Sequence, residues 1–137
     1  MENKDVKWGA VFLILLVVNG CALLAERKPE EVVRQRSMDR WSALVDGKLE
    51  TAYTYESPEY RELYAFSDFR KKIRGVGVWK KVDIENVECK DESCNVTTRI
   101  YIEMKAGMGF GNVKTDGPAT EHWMRHTTGQ WYHVSDQ

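Results

Sequence analysis

Acidic and basic residues nearly cancel in this chain of 137 residues, 21 against 20, leaving a formal net charge of −1. There is no basic excess to hold a phosphate backbone or an anionic bilayer surface, so no nucleic-acid partner is expected. Cysteine is scarce, at three residues, and no further ligands stand at the spacing of a zinc site, so no metal is expected. Long apolar runs are scarce as well. The run from Trp8 to Val18 is interrupted by Asn19 and Gly20, short of the roughly 20 residues that a membrane span needs. Lys105 to Lys114 is glycine-rich, but it lacks the contiguous glycine-lysine-threonine ending of a phosphate-binding loop. No catalytic motif and no cofactor site can be read, and catalysis is not expected.

What is present begins with Cys21. Lys4 and Lys7 precede the apolar run and Val18-Asn19-Gly20-Cys21 follows it, the order of a secretory signal ending in small residues. The segment resembles the bacterial lipoprotein signal. That resemblance implies a signal peptide over 1–20, acyl chains on Cys21, and a lipidated tether over 21–28 reaching about 25 Å at 3.3 to 3.6 Å per residue. It also implies the cell envelope and, because Ala22 stands where aspartate commonly retains such proteins at the inner membrane, the periplasmic face of an outer membrane. The expected partners are then the membrane, through the N-terminal lipid, and an envelope protein.

With Cys21 acylated, Cys89 and Cys94 are left as a pair, and an odd count in an exported protein is explained. They flank Lys90-Asp91-Glu92-Ser93, a polar tetrapeptide suited to turning a β-hairpin. Residues facing one another across antiparallel strands lie about 4.5 to 5.5 Å apart at Cα, within reach of a disulfide.

Residues 29–137 fit one domain. Pro29 suits a first helical turn, and Glu30 to Asp46 follows a helical pattern, with Val33, Trp41, Leu44 and Val45 inward and Gly47 at the stop. A second helical piece runs from Leu49 to Tyr55, and Ser57-Pro58 opens a short turn through Tyr64. Ser67-Asp68 caps a further helix, ending at Gly75. Beyond it, Val76, Val78, Val82 and Ile84 alternate with mostly polar residues, as do Val96, Thr98, Ile100, Ile102 and Met104, giving two long antiparallel strands. Val87 and Cys89 are out of phase with Val82 and Ile84. A β-bulge or bend is therefore predicted near Glu85-Asn86 or Thr97-Thr98. Two more strands follow, about Thr120 to Thr127 and Gln130 to Val134, with a tight turn at Thr128-Gly129 and Asp116-Gly117-Pro118 punctuating their entry.

Helices first and long antiparallel strands after them define an α+β domain in which helices cover one face of a bent sheet. Arg40-Trp41-Ser42-Ala43-Leu44-Val45-Asp46-Gly47, Ala52-Tyr53, Ser57-Pro58-Glu59-Tyr60-Arg61, the cysteine hairpin and Gly129-Gln130-Trp131-Tyr132-His133-Val134 resemble the nuclear transport factor 2-like, or ketosteroid-isomerase-like, superfamily. The resemblance implies a cone-like roll whose strongly bent sheet and helices enclose a pocket, in a superfamily of enzymes, ligand binders and scaffold domains. For its enzymes it implies a tyrosine donor and acids inside the cone, for which Tyr53, Tyr64, Asp83 and Tyr101 are the available residues.

Two functions follow from this reading. The first is a non-catalytic, lipid-anchored interaction or scaffold domain of the envelope, using its sheet face or a contact loop carrying Met108 and Phe110. The alternative is a small apolar ligand binder, or an isomerase- or dehydratase-like enzyme, with Trp41, Tyr53, Tyr64 and Trp123 bordering a pocket. A pocket of about 300 Å3 or more with convergent polar groups favours the alternative, and an interior plugged by aromatics favours the first. His122 and His126 have the spacing of a helical metal pair, yet on a strand they lie about 13 Å apart, too far to share an ion. They and His133 read as partly exposed strand histidines.

Overall fold

In a computed structural model, residues 26–109 and 111–135 are described. The proposed signal, Cys21, Phe110 and the side chain of Met108 lie outside them. Helix α1 spans Pro29–Val45, with proline in its first turn and Glu30 and Glu31 at its positive end, where both are favoured. It ends at Gly47, whose φ is +72°. Gly47 N donates to Leu44 O and Lys48 N to Ala43 O, the paired bonds that satisfy the last carbonyls of a helix. Short helices follow: α2 (Leu49–Tyr53), α3 (Pro58–Leu63) and α4 (Phe66–Lys72). Ser57 caps α3 as expected, accepting from Tyr60 N at 3.1 Å. Helix α4 starts before the expected Ser67-Asp68 cap and ends before Gly75. Gly75 instead makes room for a side chain: a Cβ there would lie 1.7 Å from the Trp79 ring.

Strands β1 (Trp79–Lys90), β2 (Ser93–Lys105), β3 (Asn112–Arg125) and β4 (Trp131–Val134) form one antiparallel sheet in the order β1-β2-β3-β4. Val76 and Val78, expected in the first strand, precede it in a turn closed by Val78 N and Gly75 O. The β1/β2 register slips between Ile84 and Asn86, so Glu85 is the predicted bulge. Ile84 faces Thr98 and Val87 faces Val96, which puts both apolar sets on one face. A second slip lies between Trp79 and Lys81.

Asp116-Gly117-Pro118 does not punctuate the chain but lies within β3, where Pro118 pairs with Arg99. Strand β4 reaches only to His122, so Pro118 sits where β3 has a free edge, and there a residue without an N–H is tolerated. The glycine-rich connection is shorter than expected, because Met104 and Lys105 already pair with Val113 and Asn112. The sheet is thus an open meander, not the wall of a cone.

Helix α1 lies across β1 and also touches β2 and β4. Two apolar clusters fill the layer between helices and sheet. One gathers Val33, Val87, Cys94, Val96, Trp123 and Trp131; the other gathers Trp41, Ala43, Leu44, Ala52, Tyr60 and Phe69. The Cys89–Cys94 disulfide closes the β1/β2 hairpin beside the first cluster, at the expected turn.

Candidate functional site

The buried stripe of α1 is not wholly apolar. Between Val33 and Leu44 it carries Ser37 and Arg40, and opposite them the chain brings three more polar side chains. Glu56 follows α2, Glu121 lies on β3 in phase with Trp123, and His133 lies on β4. Exposure is 5% for Arg40, 0% for Glu56 and 4% for Glu121, so these charges are withdrawn from water at a cost of several kcal/mol per ion unless their hydrogen-bonding positions are filled. Arg40 Nη1 donates to Glu121 Oε1 at 2.8 Å and Nη2 to Glu56 Oε1 at 3.1 Å. Ser37 Oγ and Trp123 Nε1 donate to Glu121 Oε2. His133 Nδ1 lies 3.0 Å from both Glu56 oxygens, and Ser135 Oγ donates to Glu56 Oε2 at 2.8 Å. Burial by itself pushes the Glu56 carboxyl up, but the His133 hydrogen bond, the charges of His133 and Arg40, and the Ser135 hydroxyl outweigh it and hold it below its ordinary value.

The backbone locks this arrangement. Glu56 and His133 form a parallel bridge, and His133 N donates to Tyr55 O at 2.8 Å, so the irregular segment after α2 is tied to the last strand. Above the cluster opens a cleft of about 210 Å3, bordered by Tyr60, Phe69, Lys72, Glu121, His133 and Ser135. The Tyr60 hydroxyl is buried there without a hydrogen-bond partner. Its pKa is raised, first by burial and then by the Glu56 carboxylate, so it stays a phenol at neutral pH.

Of the expected pocket residues, Trp41, Tyr53 and Tyr64 come together in one apolar cluster and Trp123 lies in the other. Trp41 packs in the second apolar cluster, edge-on to Trp79 with ring centroids 5.4 Å apart, whereas Trp123 belongs to the first cluster. The Tyr53 hydroxyl donates to Tyr64 O at 2.6 Å, which pins α2 to α3. Tyr64 stacks beside Tyr60, their centroids 4.9 Å apart, with the Lys72 ammonium 4.4 Å from its ring. Asp83 and Tyr101 gather instead around Lys81, whose Nζ is 2.7 Å from the carboxylate and 5.2 Å from the ring; Asp83 is thereby paired at the surface. Met108 sits by its backbone in the 3-10 turn Gly107–Gly109.

The histidines separate as the strand geometry requires. His122 Nδ1 lies 2.6 Å from Asn95 Oδ1, and His126 Nε2 lies 3.0 Å from Glu59. Among the described residues no group of three or more His, Cys, Asp or Glu is placed to hold a metal ion. His133 is a part-buried strand histidine, its side chain 11% exposed, that bonds into the cluster and borders the same cleft as His122. Arg40, Glu56 and Glu121 were not among the candidates read from the sequence. For Arg40 and Glu121 the signal was phase, since Glu121 and His133 stand two residues from Trp123 and Trp131, and Arg40 stands in step with Val33, Ser37 and Leu44; Glu56, between α2 and α3, carried none.

This geometry defines a helix-on-meander α+β domain with an internal ion cluster beneath a shallow cleft. The chain is similar to a SEC-C motif containing protein of Rhodopseudomonas palustris solved in solution, with a TM-score of 0.53 and 15% identity over 78% of this chain and 75% of that one. It is also similar to a SEC-C motif containing protein from the crystal structure of a Psychrobacter arcticus protein, with a TM-score of 0.53 and 14% identity over 81% of this chain and 63% of that one. No protein-family model and no curated protein matches the chain. At such identity the likeness concerns the fold alone.

The expected kinship with nuclear transport factor 2-like proteins is corrected by these neighbours, which are SEC-C motif containing proteins. The motifs that suggested it, a tryptophan-bearing helix and a helical turn before long strands, suit any helix-on-meander domain. The lipoprotein reading of 1–20 and Cys21 gains no support from them either. Among the described residues no helix is long and apolar enough to cross a membrane.

Proposed function

We propose that the chain is a non-catalytic interaction domain that works in the cell envelope, outside the reducing cytoplasm, where it holds a protein partner. The observation that carries this reading is that the two buried carboxylates are met from within the fold, while Arg40 Nε is buried without a hydrogen-bond partner. Both buried carboxylates are taken up by Arg40, Ser37, Trp123, His133 and Ser135, so neither is left free for chemistry in the cleft. The cleft above the cluster, about 210 Å3, is below the roughly 300 Å3 at which small-molecule sites begin, and the larger hollows of about 500 and 550 Å3 lie elsewhere, beside the start of α1 and at the cysteine hairpin. A disulfide on a hairpin end suits an oxidising compartment, which supports the envelope assignment.

The alternative, a small-ligand binder or isomerase-like enzyme, has one observation in its favour, the partnerless Tyr60 hydroxyl beside the cleft. In-cell crosslinking followed by purification from the native host separates the two. A stoichiometric protein partner is the expected result. A lone monomer carrying a bound metabolite in native mass spectrometry would overturn the interaction reading.

A further inference from the structure

One turn before Arg40, helix α1 presents a second arginine that has no acid of its own. The Arg36 guanidinium carbon lies 4.9 Å from the ring centroid of Tyr55, 5.9 Å from Trp123 and 5.6 Å from Tyr132. Among the described residues no carboxylate lies within ion-pairing distance of it, and its Nε is buried without a hydrogen-bond partner. Asp39, the acid whose charge it feels, already accepts the Gln35 amide at 2.8 Å. Glu59, nearby through the His126 ring that meets Tyr132 edge-on at 5.9 Å, is taken by His126. Burial pushes the Arg36 guanidinium down from its ordinary value, against the opposing influence of Tyr55, Tyr132 and Asp39.

The site is built, not accidental. The Glu56–His133 bridge that locks the ion cluster also sets Tyr55 and Tyr132, the residues just before each partner, side by side. Trp123, 0% exposed, forms the floor. A guanidinium held among aromatic rings is restricted in motion and offers its fork to a bidentate acceptor, and Arg, Tyr and Trp are the residues in which protein-binding hot spots are enriched. One cation suits a singly charged carboxylate better than a phosphate dianion, which is ordinarily met by an arginine cluster.

We infer that Arg36, backed by Tyr55, Tyr132 and Trp123, is the anchor point for a carboxylate of an acidic segment on the partner protein. This rests on the interaction reading above. The test uses the full chain, 15N-labelled and kept in solution with mild detergent. It is titrated with a blocked peptide of four glutamates, with the same peptide carrying glutamines, and with inorganic phosphate, while the Arg36 Nε–Hε resonance and the backbone spectrum are followed.

The glutamate peptide is expected to move that resonance saturably and the glutamine peptide to leave it in place. Arg36→Gln is expected to weaken binding at least about tenfold, and Arg36→Lys, which keeps the charge but not the planar fork, to weaken it as well; an unchanged dispersed spectrum confirms that each variant is folded. The inference is overturned if Arg36→Gln binds like the parent, or if phosphate binds as well as the peptide. If the crosslinked partner persists on Arg36→Gln, this site falls while the interaction reading stands. If the parent chain has no partner, the interaction reading falls, and the titration still decides the site.

Discussion

Replacing Arg40 with methionine tests whether the ion cluster is a closed set. Methionine fills similar volume but leaves Glu56 and Glu121, 0% and 4% exposed, without the guanidinium that bridges them at 3.1 and 2.8 Å. Removing one partner of a buried ion pair costs about 3 to 5 kcal/mol, because the remaining charge stays desolvated. A domain of this size has about 5 to 15 kcal/mol in all, and roughly 4 °C in Tm accompanies each kcal/mol. The variant should therefore melt roughly 12 to 20 °C below the parent at about pH 7, by calorimetry or circular dichroism.

The pH dependence makes the test specific. In the parent, the folded pKa of Glu56 lies below its ordinary value, so its contribution is fully present above the unfolded value of roughly 4.3 and is lost as pH falls through the folded value. In Arg40→Met, Glu56 keeps His133 but loses the Arg40 charge that helps hold its carboxyl down, so its folded pKa rises and the variant regains stability as pH falls from about 7 towards about 5. Pairing Arg40→Met with Glu121→Gln should recover part of the loss. A deficit under about 1 kcal/mol, or one that does not shrink with acid, would refute the account of a mutually neutralised cluster.

Deleting Glu85 removes the residue that lets Ile84 and Val87 face the same way. One apolar set must then point to solvent, and far-ultraviolet circular dichroism together with thiol titration should report lost sheet and unformed Cys89–Cys94 disulfide. Replacing Cys89 and Cys94 with alanine should cost only about 2 kcal/mol, since the closed loop is short, and denaturant titration should leave the transition cooperative. Tyr60→Phe removes a buried hydroxyl without a partner; equilibrium unfolding should show a change between zero and about 1 kcal/mol of added stability. Phe69→Ala, at a site 2% exposed, should lose about 3 to 5 kcal/mol by the same measurement.

Much of the fold was legible because a few residues impose a phase. Pro29 and Gly47 bound α1, Ser57-Pro58 starts α3, and the mismatch between Val82-Ile84 and Val87-Cys89 demanded the extra residue that the register places at Glu85. Where neighbours decide, local signals misled. Pro118 read as a break because nothing in the sequence says that β4 stops short and leaves β3 an open edge. Gly75 read as a helix terminator, whereas the nearby Trp79 ring is what excludes a side chain there. Tyr53, Tyr64, Trp41 and Trp123 were grouped by chemistry, but two separate apolar clusters claim them.

The ion cluster was the more instructive omission, because the rule that located the bulge also bears on it. Glu121 and His133 share the inward phase of Trp123 and Trp131, and Arg40 falls in the helical step of Val33, Ser37 and Leu44, so acid, imidazole and base were each placed on a buried face. No one of them is tolerable there alone. Inward-phased groups of opposite charge on α1, β3 and β4 must therefore meet if the helix lies on the sheet, and their meeting fixes which stretch of α1 crosses those strands. Glu56 escapes this logic, since it lies between α2 and α3 where no period operates, and the bridge to His133 puts it in place.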